Sequence, residues 1–392
     1  MRLFTKEELL SRAGRLQERL RSAGVAVAIL TANSDLYYFT GSVQRGLLVI
    51  PAAGEPIYFV RKYLARAQRE SPLMVVPFDG AALTARLAEA GAVIGFAADA
   101  MTVSEYEFLK GKLFPPGATL KDFSLSLALT KMVKSPVEQS LIEKAAAINR
   151  AVHAQIGALY RPGMRDIDMQ VALESYARRE LGHQGSFWLR GANMEAALSL
   201  VVTGTTALEP TYTDFPIGGK GLSPAVAQGA SGEVIERSFV VDLIGTRHGY
   251  NADSTRTYFV GAPEERIGTM YEELRGFLGR VVSFITPGIT GEEAWNYATA
   301  LVAEHAWKDQ FMGLDAKVRF LGHGIGTEVN QLPVIAAKQA IPFENGMTVA
   351  IEPKIFVPGW GIVGIENTYL MEGGMLRSLT GGTEALDEVI IG

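Results

Sequence analysis

The chain has 392 residues, with 37 Lys+Arg against 42 Asp+Glu for a net charge of -5, and 48% of it is hydrophobic. Such a balance gathers no phosphate backbone, so nucleic acid is not expected as a partner, and cysteine is absent, so disulfides, thiolate metal sites and a cysteine nucleophile are excluded. No apolar run of about 18 residues could span a bilayer, and charge is mixed through residues 1–24, which points to a soluble cytoplasmic protein with no membrane partner.

Residues 6–22 place Leu9, Leu10, Leu16 and Leu20 among charges, and the run Val25 to Leu30 follows Gly24, the pattern of a helix, a stop and a strand. Strand-like runs recur at Leu47–Ile50, Pro56–Val60 and Ala92–Phe96, alternating with helical stretches at Arg86–Ala90 and Ser104–Leu113. This alternation predicts an α/β N-terminal domain over residues 1–130.

The character changes at Lys134. Ser135, Pro136 and Glu138 have the spacing of a capping box with proline in the first turn, and Leu141, Ala145, Ile148, Val152, Ile156 and Leu159 continue as one apolar stripe. Further helices are predicted over Asp166–Leu181, Glu264–Ile285 and Thr290–His305, the last opened by Thr290 and Glu293 in capping-box spacing. Between them, Gly204–Gly232 is rich in Gly, Pro, Thr and Ser without periodicity, which suits an ordered loop at a site. A second domain is expected over residues 131–392.

The chemistry concentrates there. Asp242 interrupts the apolar run Ser238–Gly245, and Asp253 interrupts Tyr250–Val260. A hairpin centred between Arg247 and His248 would set the two carboxylates opposite each other, with Cβ atoms about 5 Å apart. The same arithmetic about Gly359 pairs Glu352 with Glu366. Facing carboxylates on apolar strands repel and are desolvated unless a proton or a cation lies between them. His323, in G-H-G-I-G, adds an unobstructed imidazole. Singly, each residue fits a strand edge, a bulge or a solvated turn; jointly, four carboxylates and one imidazole suit a pair of divalent ions such as Mn, Co, Zn or Fe, able to activate water and polarise a carbonyl.

These residues resemble the pita-bread metallopeptidases, a family that includes prolidase, aminopeptidase P, methionine aminopeptidase and the metal-free creatinase. N-S-D-L-Y-Y-F-T-G at Asn33–Gly41 is similar to that family's N-terminal domain, and Lys134-Ser135-Pro136 with Glu138 is similar to the start of its second domain. All five family ligands have a counterpart: Asp242, Asp253 in A-D-S-T-R-T, His323, Glu352 in I-E-P and Glu366 in G-I-E-N. The resemblance therefore implies an α+β pita-bread C-terminal domain holding two divalent metal ions, and a homodimer of the Xaa-Pro dipeptidase kind. It would cleave the bond before proline in a small peptide, with Glu352 as general base.

The departures fall on assisting groups. Asn330 and Gln331 stand where the family carries histidine and glutamate seven and eight residues after the ligand histidine, and Thr211 stands where a second helper histidine is usual. Lys354 replaces a glycine after Glu-Pro, Gly364 an arginine ahead of the last ligand, and Asn367 an aspartate. Tyr212, Asp214 and Lys220, in the polar loop, are candidates for acid-base or substrate contacts beside Asn330 and Thr211, although residues in a polar loop more often serve turns and solvent. His183 and His248 read as loop or surface residues. A metal-binding pseudoenzyme, or a hydrolase of a non-peptide amide or ester, is the alternative reading.

Overall fold

The computed structural model describes every residue except Met1, Ala92, Ser186, 191–193, 197, 198 and Asp214. The candidate Asp214 and the first residue of the strand expected at Ala92 thus lie outside the described residues. The chain divides into two compact units, Met1–Lys131 with Trp188–Glu195, and Met132–Phe187 with Ala196–Gly392.

In the first unit, six strands form one mixed sheet in the order β4-β3-β2-β1-β5-β6: β1 Val27–Leu30, β2 Gly46–Pro51, β3 Ile57–Val60, β4 Met74–Pro77, β5 Val93–Phe96 and β6 Thr119–Asp122. The helices are α1 Lys6–Ser22, α2 Asn33–Thr40, α3 Leu64–Glu70, α4 Gly80–Ala90, α5 Val103–Lys112 and α6 Ser124–Met132. Alternation along the strands divides the core. Ala28, Leu30, Leu48 and Ile50 pack with Leu16, Leu20, Leu36 and Phe39, whereas Val27, Ile29, Leu47 and Val49 pack with Leu83, Leu87 and Leu109. Since successive strand residues face opposite ways, the sheet is covered on both sides. Caps fix the helix starts: Thr5 accepts from the Glu8 N–H at 3.2 Å, and Asp79 from Ala81 and Ala82.

The second unit opens with α7 Pro136–His153, and its capping box is present: Glu138 accepts from Ser135 N at 3.0 Å while Ser135 Oγ accepts from Glu138 N at 3.3 Å. The helix ends earlier than its apolar stripe suggests, and Ile156 and Leu159 fall in a separate short helix, α8 Ile156–Leu159. Next in the chain come α9 Asp166–Glu180, the short strands β7 Phe187–Leu189 and β8 Met194–Ala196, which lie mostly in the Trp188–Glu195 segment of the first unit, then β9 Ser199–Thr203, β10 Ser238–Arg247 and β11 Tyr250–Val260. After α10 Glu265–Phe284 and α11 Gly291–Val302 follow β12 Phe320–Gly324, β13 Gln331–Ala336, β14 Thr348–Ile351, β15 Lys354–Val357, β16 Gly361–Gly364, β17 Asn367–Glu372, β18 Met375–Ser378 and β19 Ile390–Ile391. Thr290 and Glu293 cap α11 as its sequence predicts.

Three ladders carry the site: β19-β11-β10-β9, β13-β12-β14-β17-β18 and β15-β16. Helix α7 is clamped to the first by Asn149, whose Nδ2 donates to the carbonyls of Leu243 (2.9 Å) and Ala252 (3.1 Å) and to Ser254 Oγ (2.9 Å). Gly245 permits that approach, because a Cβ there would lie 2.0 Å from Asn149 Oδ1. The Gly204–Gly232 segment holds one 3₁₀ turn, Gly204–Leu208, and its far end is fixed by buried Asp166, whose carboxylate accepts from Ser231 N (2.7 Å) and Gly232 N (2.8 Å).

Candidate metal centre

The β10–β11 hairpin differs from the sequence expectation. Arg247 pairs with Tyr250, so the turn is His248–Gly249, Asp242 stands opposite Thr255 and Asp253 opposite Ile244. His248 (φ 51°) and Gly249 (φ 75°) both have positive φ, as a two-residue hairpin turn of the primed type requires. Moving the turn centre by one residue moves each partner by two, so Asp242 and Asp253 are diagonal neighbours that keep the same face.

The second pair follows the expected register, although each continuous strand is broken in two. Ile351 pairs with Asn367 on one side and Lys354 with Gly364 on the other, which leaves Glu352 and Glu366 facing between two ladders. A bridge between Arg256 and Ile365, with Glu366 N donating to Thr255 O at 2.9 Å, joins the two hairpins. Pairing of His323 with Ala350 and the 3.0 Å bond from Glu352 N to Leu321 O bring the imidazole alongside. Gly322 and Gly324 permit this strand spacing, since a Cβ at either would lie within 2.3 Å of a neighbouring carbonyl oxygen.

Asp253, His323, Glu352 and Glu366 are buried, and Asp242 is half-buried. One ligand atom from each of Asp253, His323 and Glu366 lies within 4.8 Å of the others, and His323 Nε2 is 3.6 Å from Glu352 Oε1. His323 Nδ1 is 3.1 Å from the Gly324 carbonyl, which only accepts. That nitrogen therefore carries the proton, and the Nε2 lone pair is directed at the carboxylates. Asp253 Oδ1 and Glu366 Oε1 are buried without a hydrogen-bond partner. Orphaned anionic oxygens beside an imidazole lone pair fit a divalent cation held by oxygen and nitrogen.

The electrostatics agree. Burial, then the charge of Glu366, raises the Asp242 carboxyl to about 7; burial raises Glu352 to about 8 against the pull of Lys354. Burial and the neighbouring carboxylates hold Asp253 well above the usual carboxylate range, while burial lowers His323. The raised carboxyls reflect burial in a cluster short of positive charge, whereas the lowered imidazole reflects burial winning over the pull of Glu366.

Two side chains not counted among the ligands complete the cluster. Thr255 Oγ lies 2.9 Å from Asp242 Oδ1 and 2.6 Å from Glu366 Oε2, so its single proton serves one carboxylate at a time. Lys354 is fully buried, with Nζ 2.8 Å from Glu352 Oε2 and 3.5 Å from Glu366 Oε2. The period-two spacing of Thr255 from Asp253, and of Lys354 from Glu352, is the signal that puts each on its ligand's face. Arg256, also buried, secures the last candidate ligand by donating to Glu366 O (2.5 Å) and to Asn367 Oδ1 (2.7 Å), which gives Asn367 a place in the hydrogen-bond network.

The remaining candidates stand apart from this cluster. Asn330 is exposed just before β13, Tyr212 is 83% exposed, and Thr211 is half-buried with Oγ 3.2 Å from that of Thr213. Among the described residues, none of the three hydrogen-bonds to the five candidate ligands. Thr211 and Thr213 line a cavity of about 210 Å³ with Leu208, Phe215, Met312 and Phe356. Lys220 is exposed. His248 is the exposed turn residue, and His183 lies in a loop but is buried, its Nε2 donating to Ile244 O at 3.0 Å and its Nδ1 accepting from Gly185 N at 2.6 Å.

An α/β unit followed by β-ladders that bring buried carboxylates beside an imidazole is the arrangement of a metal-dependent hydrolase. The chain belongs to metallopeptidase family M24, whose model matches residues 140–372, and the creatinase/prolidase N-terminal domain matches residues 12–133. The Xaa-Pro dipeptidase of Pyrococcus furiosus is 27% identical over 354 residues, covering 88% of this chain and 90% of that protein. An uncharacterized peptidase, YqhT, of Bacillus subtilis is 27% identical over 380 residues, 93% of this chain and 97% of that one. In fold, an Xaa-Pro dipeptidase from Bacillus anthracis superposes with a TM-score of 0.81 at 24% identity, covering 98% of this chain and 99% of its own. The dipeptidase PepE from Mycobacterium ulcerans does so with a TM-score of 0.80 at 24% identity, covering 100% and 99%.

Proposed function

We propose that this metallopeptidase cleaves the bond before proline in small peptides, as an Xaa-Pro dipeptidase or aminopeptidase. The observation that supports the reading is the grouping of Asp253, His323 and Glu366 within 4.8 Å, two of them with orphaned buried oxygens and with Glu352 3.6 Å from His323, in a chain whose relatives include named Xaa-Pro dipeptidases. Asp253, His323, Glu352 and Glu366, with Asp242, would hold Mn, Co, Zn or Fe; the bound ion would polarise the scissile carbonyl and lower the pKa of a water.

The chain's own groups do the rest. Glu352 keeps Oε1 free of the lysine that engages Oε2, so Oε1 is the atom that takes a proton from the attacking water and returns it to the leaving nitrogen. Thr255 steadies Asp242 or Glu366 by donating its single proton. The cavity at Thr211 and Phe356, lined by apolar, hydroxyl and charged side chains with Asp315 and Lys317 among them, is the candidate place for the proline residue. Asn330, Thr211 and Tyr212 are assigned to substrate contact rather than to ion binding. We further infer a cytoplasmic protein, as the composition suggests, and a homodimer, as the resemblance implies.

The neutral side chains of Asn330 and Thr211, at places where the family carries histidine, favour a second reading: a metal-binding pseudoenzyme, or a hydrolase of a non-peptide amide or ester. A panel of Xaa-Pro dipeptides, Xaa-Pro tripeptides, proline-free dipeptides and aryl esters, each with Mn, Co or Zn, separates them. Turnover confined to Xaa-Pro peptides supports the first reading; turnover confined to esters, or none at all, supports the second.

A further inference from the structure

We propose that the Lys354 ammonium permanently occupies the place of one of the two cations, so that the site takes a single divalent ion, at Asp253, His323 and Glu366. The proposal rests on the metallopeptidase reading above but concerns ion count, which is independent of substrate.

Geometry is the first support. Lys354 Nζ lies 2.8 Å from Glu352 Oε2 and 3.5 Å from Glu366 Oε2, and both residues are metal-ligand candidates. A divalent ion bridging those same oxygens would stand within a few ångströms of a fixed ammonium, and like charges at that distance repel strongly in a buried site. The oxygens left without any partner, Asp253 Oδ1 and Glu366 Oε1, lie with His323 in one group. Lysine thus covers one part of the cluster and leaves room for one ion in the other.

The second support is how the lysine is accommodated. Lys354 and Gly364 are directly opposite in the β15–β16 ladder. A Cβ on Gly364 would lie 2.9 Å from Lys354 Cγ, 3.5 Å from Cδ and 3.6 Å from Cε, so the aliphatic stem lies across the bare glycine. A lysine that had merely lost its solvent would be costly without partners. This one has a cleared path and two carboxylates at its end. Charge fits as well: four carboxylates against one ammonium leave a deficit that a single divalent ion largely covers.

The test uses full-length protein stripped with EDTA and dialysed, then titrated with Mn(II), with bound metal read by elemental analysis and the bound ion by electron paramagnetic resonance. The expected result is one Mn per chain with an isolated six-line spectrum. Two tightly bound Mn per chain, or an exchange-coupled spectrum, would overturn the proposal. Lys354→Gly and Lys354→Ala, checked for folding by circular dichroism, should each admit a second ion and show the coupled spectrum. A folded variant that stays at one ion would remove Lys354 as the cause, and the wild-type stoichiometry decides the count if neither variant folds. Peptide turnover is measured on the same samples: no turnover with one bound Mn would sink the proposed activity and leave the ion count intact.

Discussion

Lys354 and Gly364 face each other across the β15–β16 ladder, and the stem of the lysine fills the space that a side chain at 364 would need. The backbone of Gly364 is not at positive φ, so the demand for glycine there is purely one of space. Gly364→Ala should destabilise the wild type by about 1–3 kcal/mol, as overpacking of a filled core does. In a Lys354→Gly background the same change should be nearly neutral. Denaturant unfolding of the four proteins gives the coupling energy; equal costs of Gly364→Ala in the two backgrounds would mean that the lysine does not lie across the glycine.

Asp253 predicts an inversion of stability with metal. Its carboxyl is buried among other carboxylates, and Oδ1 has no partner. Asp253→Asn should therefore leave the metal-free protein as stable as the wild type or more so, because it removes a buried carboxyl that must either repel its neighbours or take up a proton. With Mn at about 100 times the dissociation constant, the wild type should gain roughly 2.7 kcal/mol and the variant much less. Melting temperatures with EDTA and with Mn test both arms.

His183 should make stability depend on mild acid. Burial lowers its pKa from 6.5 to about 4, and protonation would break the bond that Nδ1 accepts from Gly185. Between about pH 6.5 and 4 the unfolded chain binds a proton that the folded chain refuses, so stability is complete above 6.5 and falls as pH drops to 4. The slope from one proton is at most about 1.4 kcal/mol per pH unit. His153 is also buried and lowered, so the readout is the difference between wild type and His183→Gln. That difference should shrink as pH falls; a constant difference across the window would contradict the assignment.

Asn330→His, alone and with Thr211→His, should raise Xaa-Pro turnover by up to about 10²-fold for each proton-transfer group restored, with bound metal unchanged. Steady-state kinetics and metal content on the same preparations test this, and a fall in metal content would show that these positions influence the ligands.

Much of the site is legible along the chain because its signals are local. The capping boxes at Ser135 and Thr290 form as spaced, and the register about Gly359 puts Glu352 opposite Glu366 on arithmetic alone. The register of the first hairpin is less legible, since its turn depends on His248 accepting positive φ, a conformation commoner for histidine than for most non-glycine residues but not dictated by it. The short strands Met74–Pro77 and Thr119–Asp122 carry too few residues for a period to show, and their pairing with β3 and β5 is decided by the sheet. Lys354 was visible as a departure from the family, and the register that pairs 352 with 366 also pairs 354 with 364. Its burial and its carboxylate partners need three dimensions.

Hydrolysis of an Xaa-Pro dipeptide by EDTA-stripped protein, before and after stoichiometric Mn(II), with Glu366→Gln in parallel, tests the metal centre most directly. Turnover should be absent in the stripped wild type, return on adding Mn, and stay absent in Glu366→Gln, where the carboxylate nearest Thr255, 3.5 Å from Lys354 Nζ, has lost its charge. Full turnover by the stripped protein, or by Glu366→Gln, would show that catalysis does not run through these residues.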